Sequence, residues 1–274
     1  MRWTEIPANE LHAAEQRLRV ALGDNAEAVV QRINADPTYV QQVADYIVIS
    51  ARMPDKLTTS LNTQWLRARE IMGRNFFGVE EAIKHFGVNP IHPQLASLAE
   101  IPFSEAVLEE LKYSHILVAV FPLLSILEIR GKVDSKLFCY QSWYNKEPFA
   151  KEQGEVSWQL VRKTPVPDSI SKNWQEQQSL LGKDDEMPTA QVMVYTIIGH
   201  YLETGERLFE RIYVRTSSVD YDGSRVFVGG FGLGGLSVYR CRDDHHYGDL
   251  GVSSARKSPV AERSSLRGKS KPLL

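Results

Sequence analysis

Thr196, His200 and Glu203 are spaced four and three apart in an apolar stretch, so a helix places them on one face. An imidazole beside a carboxylate on a rigid helix suits general acid–base chemistry or metal ligation. Arg207 follows within reach of that side, and Gly199 leaves room for a ligand or another backbone to approach. His200 and Glu203 are therefore the candidate catalytic pair. The competing reading is structural: a helix lying on a sheet has an outer edge, and these residues can be that edge.

Other segments carry less. Cys241-Arg242-Asp243-Asp244-His245-His246 gathers metal-capable side chains after a strand, but without the paired cysteine and histidine spacings of zinc sites. It reads as a solvated turn, and no metal or cofactor is assigned. Gly229-Gly230-Phe231-Gly232-Leu233-Gly234-Gly235 has the look of a phosphate loop, yet strand residues follow it rather than a helix N-terminus, so a hairpin is expected. Val79–Leu98 is weighed as a helix-turn-helix and set aside, since its second helix has no basic residue to meet phosphate. No G-x-S-x-G elbow occurs, and Cys139 has no adjacent histidine. Arg256, Lys257, Arg263, Arg267, Lys269 and Lys271 form a basic C-terminal cluster that can meet nucleic acid by counterion release, without an aromatic residue for base stacking.

The elements that must position these groups are legible in the spacing. Met187–Leu202 reads as a nearly all-apolar helix, with Pro188 in its first turn and Gly205 ending it. Glu206–Val214, Ser224–Phe231 and Gly235–Arg240 read as a three-strand meander packed on that helix. His115–Phe121 is a continuous apolar run suited to a strand buried on both faces, and Val156–Lys163 is a second strand. Leu123–Arg130 reads as a short helix before Gly131, and Ser171 caps a helix through Leu181. Upstream the pattern is helical. Asn9 caps a stripe of Leu11, Ala14, Leu18 and Leu22; Ala26, Val29, Val30 and Ile33 make the next; Val40, Val43, Ala44 and Ile47 another. Further helices are expected over Ser60–Met72, Val79–Phe86, Pro93–Leu98 and Ser104–Lys112, with Arg52–Ser60 as a hinge. The fold class is therefore α+β: a helical N-terminal region over 1–73, then a core over 74–250 with a mixed, largely antiparallel sheet of about five strands and helices on one face. Residues 251–274, with six basic and one acidic side chain, are expected as a disordered basic tail.

The phrases Arg74-Asn-Phe-Phe-Gly-Val-Glu-Glu-Ala-Ile-Lys-His-Phe-Gly87, Trp158-Gln-Leu-Val-Arg-Lys-Thr-Pro165, Val194-Tyr-Thr-Ile-Ile-Gly-His-Tyr201, Thr204-Gly-Glu-Arg-Leu-Phe209 and Ser253-Ser-Ala-Arg-Lys257 resemble a group of bacterial hypothetical proteins over roughly residues 74–257. The resemblance implies a bacterial, soluble origin and transfers no site.

Composition bounds the function. A formal charge of −2 argues against coating nucleic acid by charge alone, and the two cysteines require no disulfide framework. The N-terminus has acids where a signal peptide is apolar, and the longest apolar run, Ile116–Leu124, is too short to span a membrane. The expectation is a cytoplasmic binding or regulatory protein without a catalytic motif, acting on a protein partner. The alternatives are an enzyme using His200 with Glu203, or a nucleic-acid-associated protein working through its basic tail.

Overall fold

The computed structural model describes residues 12, 14–18, 20, 26–37, 55–121 and 124–258. Contacts divide the chain into two units, residues 1–52 and 53–274. In the first, residues 14–18 are helical and α1 spans Ala26–Ala35, with Val29 and Ile33 the half-buried positions of its stripe. The Asn9 cap and the Val40–Ile47 stripe lie outside the described residues.

The second unit begins earlier than the expected boundary at residue 73. Helix α2, Asp55–Met72, buries Ala68, Ile71 and Met72, and Trp65 Nε1 donates to Leu98 O at 3.1 Å. That helix belongs to the α+β core; the division between the units, at Arg52 and Met53, falls within the expected hinge Arg52–Ser60, whose later part, from Asp55, is the start of α2. Helix α3, Val79–Phe86, ends at Gly87, whose φ of +58° is the left-handed geometry expected of a C-terminal glycine. Helices α4, His92–Ser97, and α5, Glu105–Leu111, follow, with Ser104 Oγ capping the latter.

The strands form two sheets where one was expected. The first has the order Phe76–Phe77 (β1), His115–Val120 (β2), Ser157–Arg162 (β3), Ala255–Arg256 (β9) and Asp185–Glu186 (β4). Strand β2, His115–Val120, is buried at every position, as its unbroken apolar run requires. It runs parallel to β1, Phe76–Phe77, and antiparallel to β3, Ser157–Arg162, from His115 opposite Arg162 to Val120 opposite Ser157. The second sheet has the order Gly235–Cys241 (β7), Arg225–Gly232 (β6), Tyr213–Val219 (β5) and Leu250–Val252 (β8). Its meander is β5, Tyr213–Val219, β6, Arg225–Gly232, and β7, Gly235–Cys241. The first meander strand starts seven residues later than expected, because Gly205–Ile212 is spent turning the chain. The glycine run is a bulged hairpin: Gly232 pairs with Gly235, and Gly229, at φ +148°, lies so close to Ile212 O that a Cβ would sit 2.2 Å from it.

The expected disordered tail begins too early. Residues 250–252 form β8, parallel to β5, and Ala255–Arg256 form β9, which lies between β3 and β4, Asp185–Glu186. Small residues make this passage possible, since Ser253 and Ser254 are wholly buried between the two sheets. Residues 259–274 lie outside the described residues.

Helices α6, Ile126–Lys132, α7, Pro148–Lys151, and α8, Trp174–Ser179, connect these strands. Gly131 falls inside α6 rather than ending it. Asn173, not Ser171, caps α8, and Ser171 instead takes a left-handed φ of +61°. The central element is α9, Ala190–Thr204, buried from Ala190 through His200 and touching both sheets. Thr189 Oγ1 accepts from Val192 N and caps it, so Pro188 precedes the helix. A helix apolar on all sides must be surrounded; the Tyr195 hydroxyl finds Ala119 O at 2.9 Å. The other face of the first sheet is covered by α2 and Leu98, where Trp65 meets Trp158 edge-on. Among the described residues, no helix is long and apolar enough to cross a membrane.

Candidate functional site

The last turn of α9 is where the buried rod reaches the surface. His200 is 2% exposed. The chain then reverses at Gly205, whose φ of +73° lets its N–H return to Tyr201 O. Thr204 Oγ1 donates to His200 O and accepts from Glu206 N, which pins the reversal. Glu206 is thereby carried back alongside the helix, and its Oε2 lies 3.1 Å from His200 Nε2.

The acid beside His200 is thus Glu206, not Glu203. Glu203 leans toward α3, where it receives Lys84 Nζ at 2.9 Å and lies 2.6 Å from His85 Nε2. The expected His200/Glu203 pair is not assembled, because the left-handed cap brings the later carboxylate nearer than the helical spacing does. Thr196 Oγ1 bonds back to Val192 O within the helix. Arg207 turns to β6, donating to Gly232 O at 2.8 Å and stacking on Tyr201 and Phe231.

Around Glu206 the fold collects positive charge. Lys163 Nζ is 3.0 Å from Glu206 Oε1, and Arg74 Nη2 is 3.3 Å from Oε2. Alternation along β3 explains Lys163: it continues the face of Gln159 and Val161, opposite to Arg162. Arg74 stands in the single 3₁₀ turn Gly73–Asn75 that links α2 to β1. These groups, with Asn75, Lys112 and Tyr113, line a cleft of about 470 Å³. A second cleft of about 310 Å³ lies across Arg74, walled by Arg69, Glu81 and Glu203. There Arg69 bridges Glu80, at 2.7 Å, and Glu81.

Burial holds the His200 imidazole below its ordinary pKa; the Glu206 hydrogen bond pulls upward, and Lys163 and Arg74 push further down. Neutral His200 therefore donates its Nε2–H to Glu206. Burial raises the Glu206 carboxyl, but the hydrogen bonds from Lys163 and His200 outweigh it and leave the group below the usual carboxylate range. Glu203 follows the same pattern, with burial overcome by His85 and Lys84. Glu206 is an ionised carboxylate already engaged by three donors, which makes it a weak base. His200 is sealed behind it. The arrangement favours recognition of charge over proton transfer.

The remaining candidates separate. Cys241 Sγ receives Arg215 Nη2 at 3.5 Å, and His245 and His246 are exposed, the former 3.1 Å from the Tyr247 hydroxyl. Among the described residues no three His, Cys, Asp or Glu side chains converge as a metal would require. Cys139 and Cys241 are free thiols. Phe76, Phe77 and Phe86, beside the discarded helix-turn-helix, are core. Of the basic cluster, Arg256 lies 3.6 Å from both Asp184 and Asp185, and Lys257 Nζ donates to Lys183 O. Arg263, Arg267, Lys269 and Lys271 lie outside the described residues.

Arg74, Asn75, Lys112, Lys163 and Glu206 were not legible as a site in the sequence. One signal was present: a glycine stop followed at once by a glutamate, which swings that acid back onto the preceding turn. Neither a family model, nor a curated protein, nor a solved structure matches the chain.

Proposed function

We propose that the protein is a binding or regulatory protein, and that the cleft at the end of α9 takes an oxyanion. One observation carries the reading: three cations, Arg74, Lys112 and Lys163, line the cleft against a single carboxylate whose oxygens are already engaged. Lys112 also holds Glu109 at 2.7 Å, which positions its ammonium. Two free thiols support work in a reducing, cytoplasmic setting.

Glu206→Gln tests the reading. It removes the only negative charge of the lining, so a calorimetric titration with inorganic phosphate or succinate tightens by about tenfold, an effect that weakens with salt. Unchanged or lost anion binding in this folded variant overturns the reading. The alternative, acid–base turnover by His200 with a carboxylate, is supported by the 3.1 Å contact to Glu206 and requires the opposite result, loss of activity in the same variant.

A further inference from the structure

We infer that the oxyanion taken by this cleft is joined to a flat aromatic ring, as in a mononucleotide or an aryl acid. The inference rests on the reading of the cleft as an oxyanion site and concerns what the rest of the ligand must offer.

Tyr113 is the observation. It lines the cleft and is 83% exposed, whereas the other large apolar side chains of the lining, Ile71 and Met72, are buried. Single exposed aromatic residues are common on protein surfaces. Tyr113 differs in how it is held. Helix α5 ends at Leu111 and β2 begins at His115, and both of these residues are buried. In the turn between them, Lys112 O accepts from Asn75 Nδ2 at 2.6 Å, Ser114 N donates to Leu111 O at 3.0 Å, and Ser114 O accepts from Lys163 N at 2.9 Å. The backbone is thus tied on both sides of Tyr113 while its ring stands in water. A ring placed this way loses less freedom when a ligand covers it than one on a loose loop.

The same ties set the ring among the cations. Asn75 follows Arg74 in their 3₁₀ turn, Lys112 precedes Tyr113, and Lys163 is itself the donor to Ser114 O. The Lys112 ammonium lies 5.2 Å from the centre of the Tyr113 ring, within the range of cation–π attraction. One cation of the cleft therefore leans on the ring, and an anion drawn to it arrives beside an aromatic surface. A bare oxyanion answers the charges and leaves that surface wet. An oxyanion bearing a planar ring answers both, because every aromatic base or aryl group has a face that can stack on tyrosine. The Tyr113 hydroxyl can donate or accept in its own right, and the test separates it from the ring.

The test compares ligands that share an anion and differ in the ring. Adenosine 5′-monophosphate and ribose 5-phosphate differ by the base; phenyl phosphate and propyl phosphate, and phenylsuccinate and succinate, make the simpler pairs. In calorimetric titrations of the full chain, the aromatic member of at least one pair is expected to bind about tenfold tighter. A preference confined to the first pair identifies a nucleotide. One seen with a phenyl ligand identifies an aryl phosphate or an aryl carboxylate, according to the pair. Tyr113→Phe is expected to keep the ratio and Tyr113→Ala to bring it close to one, whereas Arg74→Gln weakens both members and preserves it. Loss of the ratio in Tyr113→Phe assigns the preference to the hydroxyl and overturns stacking. A ratio that persists in Tyr113→Ala overturns the assignment to Tyr113. Equal binding within all three pairs by the wild-type chain overturns the aromatic inference while leaving the oxyanion reading intact. Should none of the six ligands bind, the oxyanion reading itself falls. The exposed side chain leaves the core untouched in both Tyr113 variants, and the wild-type comparison decides the matter without them.

Discussion

Arg215 is wholly buried on β5, and none of its acceptors is a carboxylate. Its guanidinium donates to Lys172 O at 3.0 Å, Gln177 Oε1 at 2.8 Å, and His245 O, and it touches Cys241 Sγ. One fork thereby ties α8, its preceding loop, β7 and the loop after it to the outer face of the second sheet. A planar guanidinium reaches these acceptors together; an ammonium does not. Arg215→Lys is expected to cost about 2 kcal/mol or more in urea unfolding, through acceptors left unsatisfied. His115 gives a pH signature. Burial, with Arg162 and Arg256 nearby, lowers its pKa from 6.5 to about 4. A histidine kept neutral in the fold binds its proton only in the unfolded chain between those values, so stability falls as pH drops from 6.5 to about 4. The expected loss is about 3 kcal/mol, and urea midpoints of His115→Gln across that window should be flatter. Below it, Glu203 and Glu206, both held under the ordinary carboxylate range, add their own loss as they are protonated.

At the scale of elements, α9 depends on what it lacks at Gly199. A Cβ there would lie 2.9 Å from the ring of Phe77, which is buried against Phe86 and Tyr195. Alanine in place of a helical glycine usually gains about 1 kcal/mol in propensity. Here the ring has no free direction in which to move, so Gly199→Ala is expected to destabilise by about 1–3 kcal/mol in the same unfolding assay. A gain in stability would show that Phe77 can shift. Gly199 was read in the sequence as room for close approach. The approaching group proves to be a side chain of β1 rather than a ligand.

For the whole molecule, the C-terminal segment decides whether the two sheets hold together. Within seven residues it adds β8 to one and β9 to the other. Ser253 N and Oγ both donate to Arg215 O, at 3.1 and 2.6 Å, and Arg162 N donates to Ser254 O at 2.9 Å. A chain ending at Asp249 is expected to lose its cooperative unfolding transition, followed by circular dichroism; a native-like transition would contradict this. A deletion meant to test nucleic-acid binding by the basic cluster therefore has to begin beyond Ser258, since a cut at 251 removes the fold along with the charge.

Local pattern was enough for the elements whose state is set by residues a few positions apart. The all-apolar run into His200, the unbroken β2 and the glycine-punctuated meander each specify their state locally, because periodicity and turn chemistry act over a few residues. His200 was legible too, as the imidazole at the end of a buried rod. Tertiary structure alone decided its partner. Glu203 and Glu206 are nearly equivalent in sequence, and only the left-handed reversal at Gly205 and the pull of Lys84 and His85 on Glu203 sort them. The cleft draws on α2, the turn after it, the end of β3 and the loop after α9, which are far apart along the chain. Strands β4, β8 and β9 are two or three residues long, too short to show a period, and their pairing comes from a neighbouring strand's open backbone. Spacing records what a residue does to its own helix or strand, and it carries no trace of the distant group that folding sets beside it.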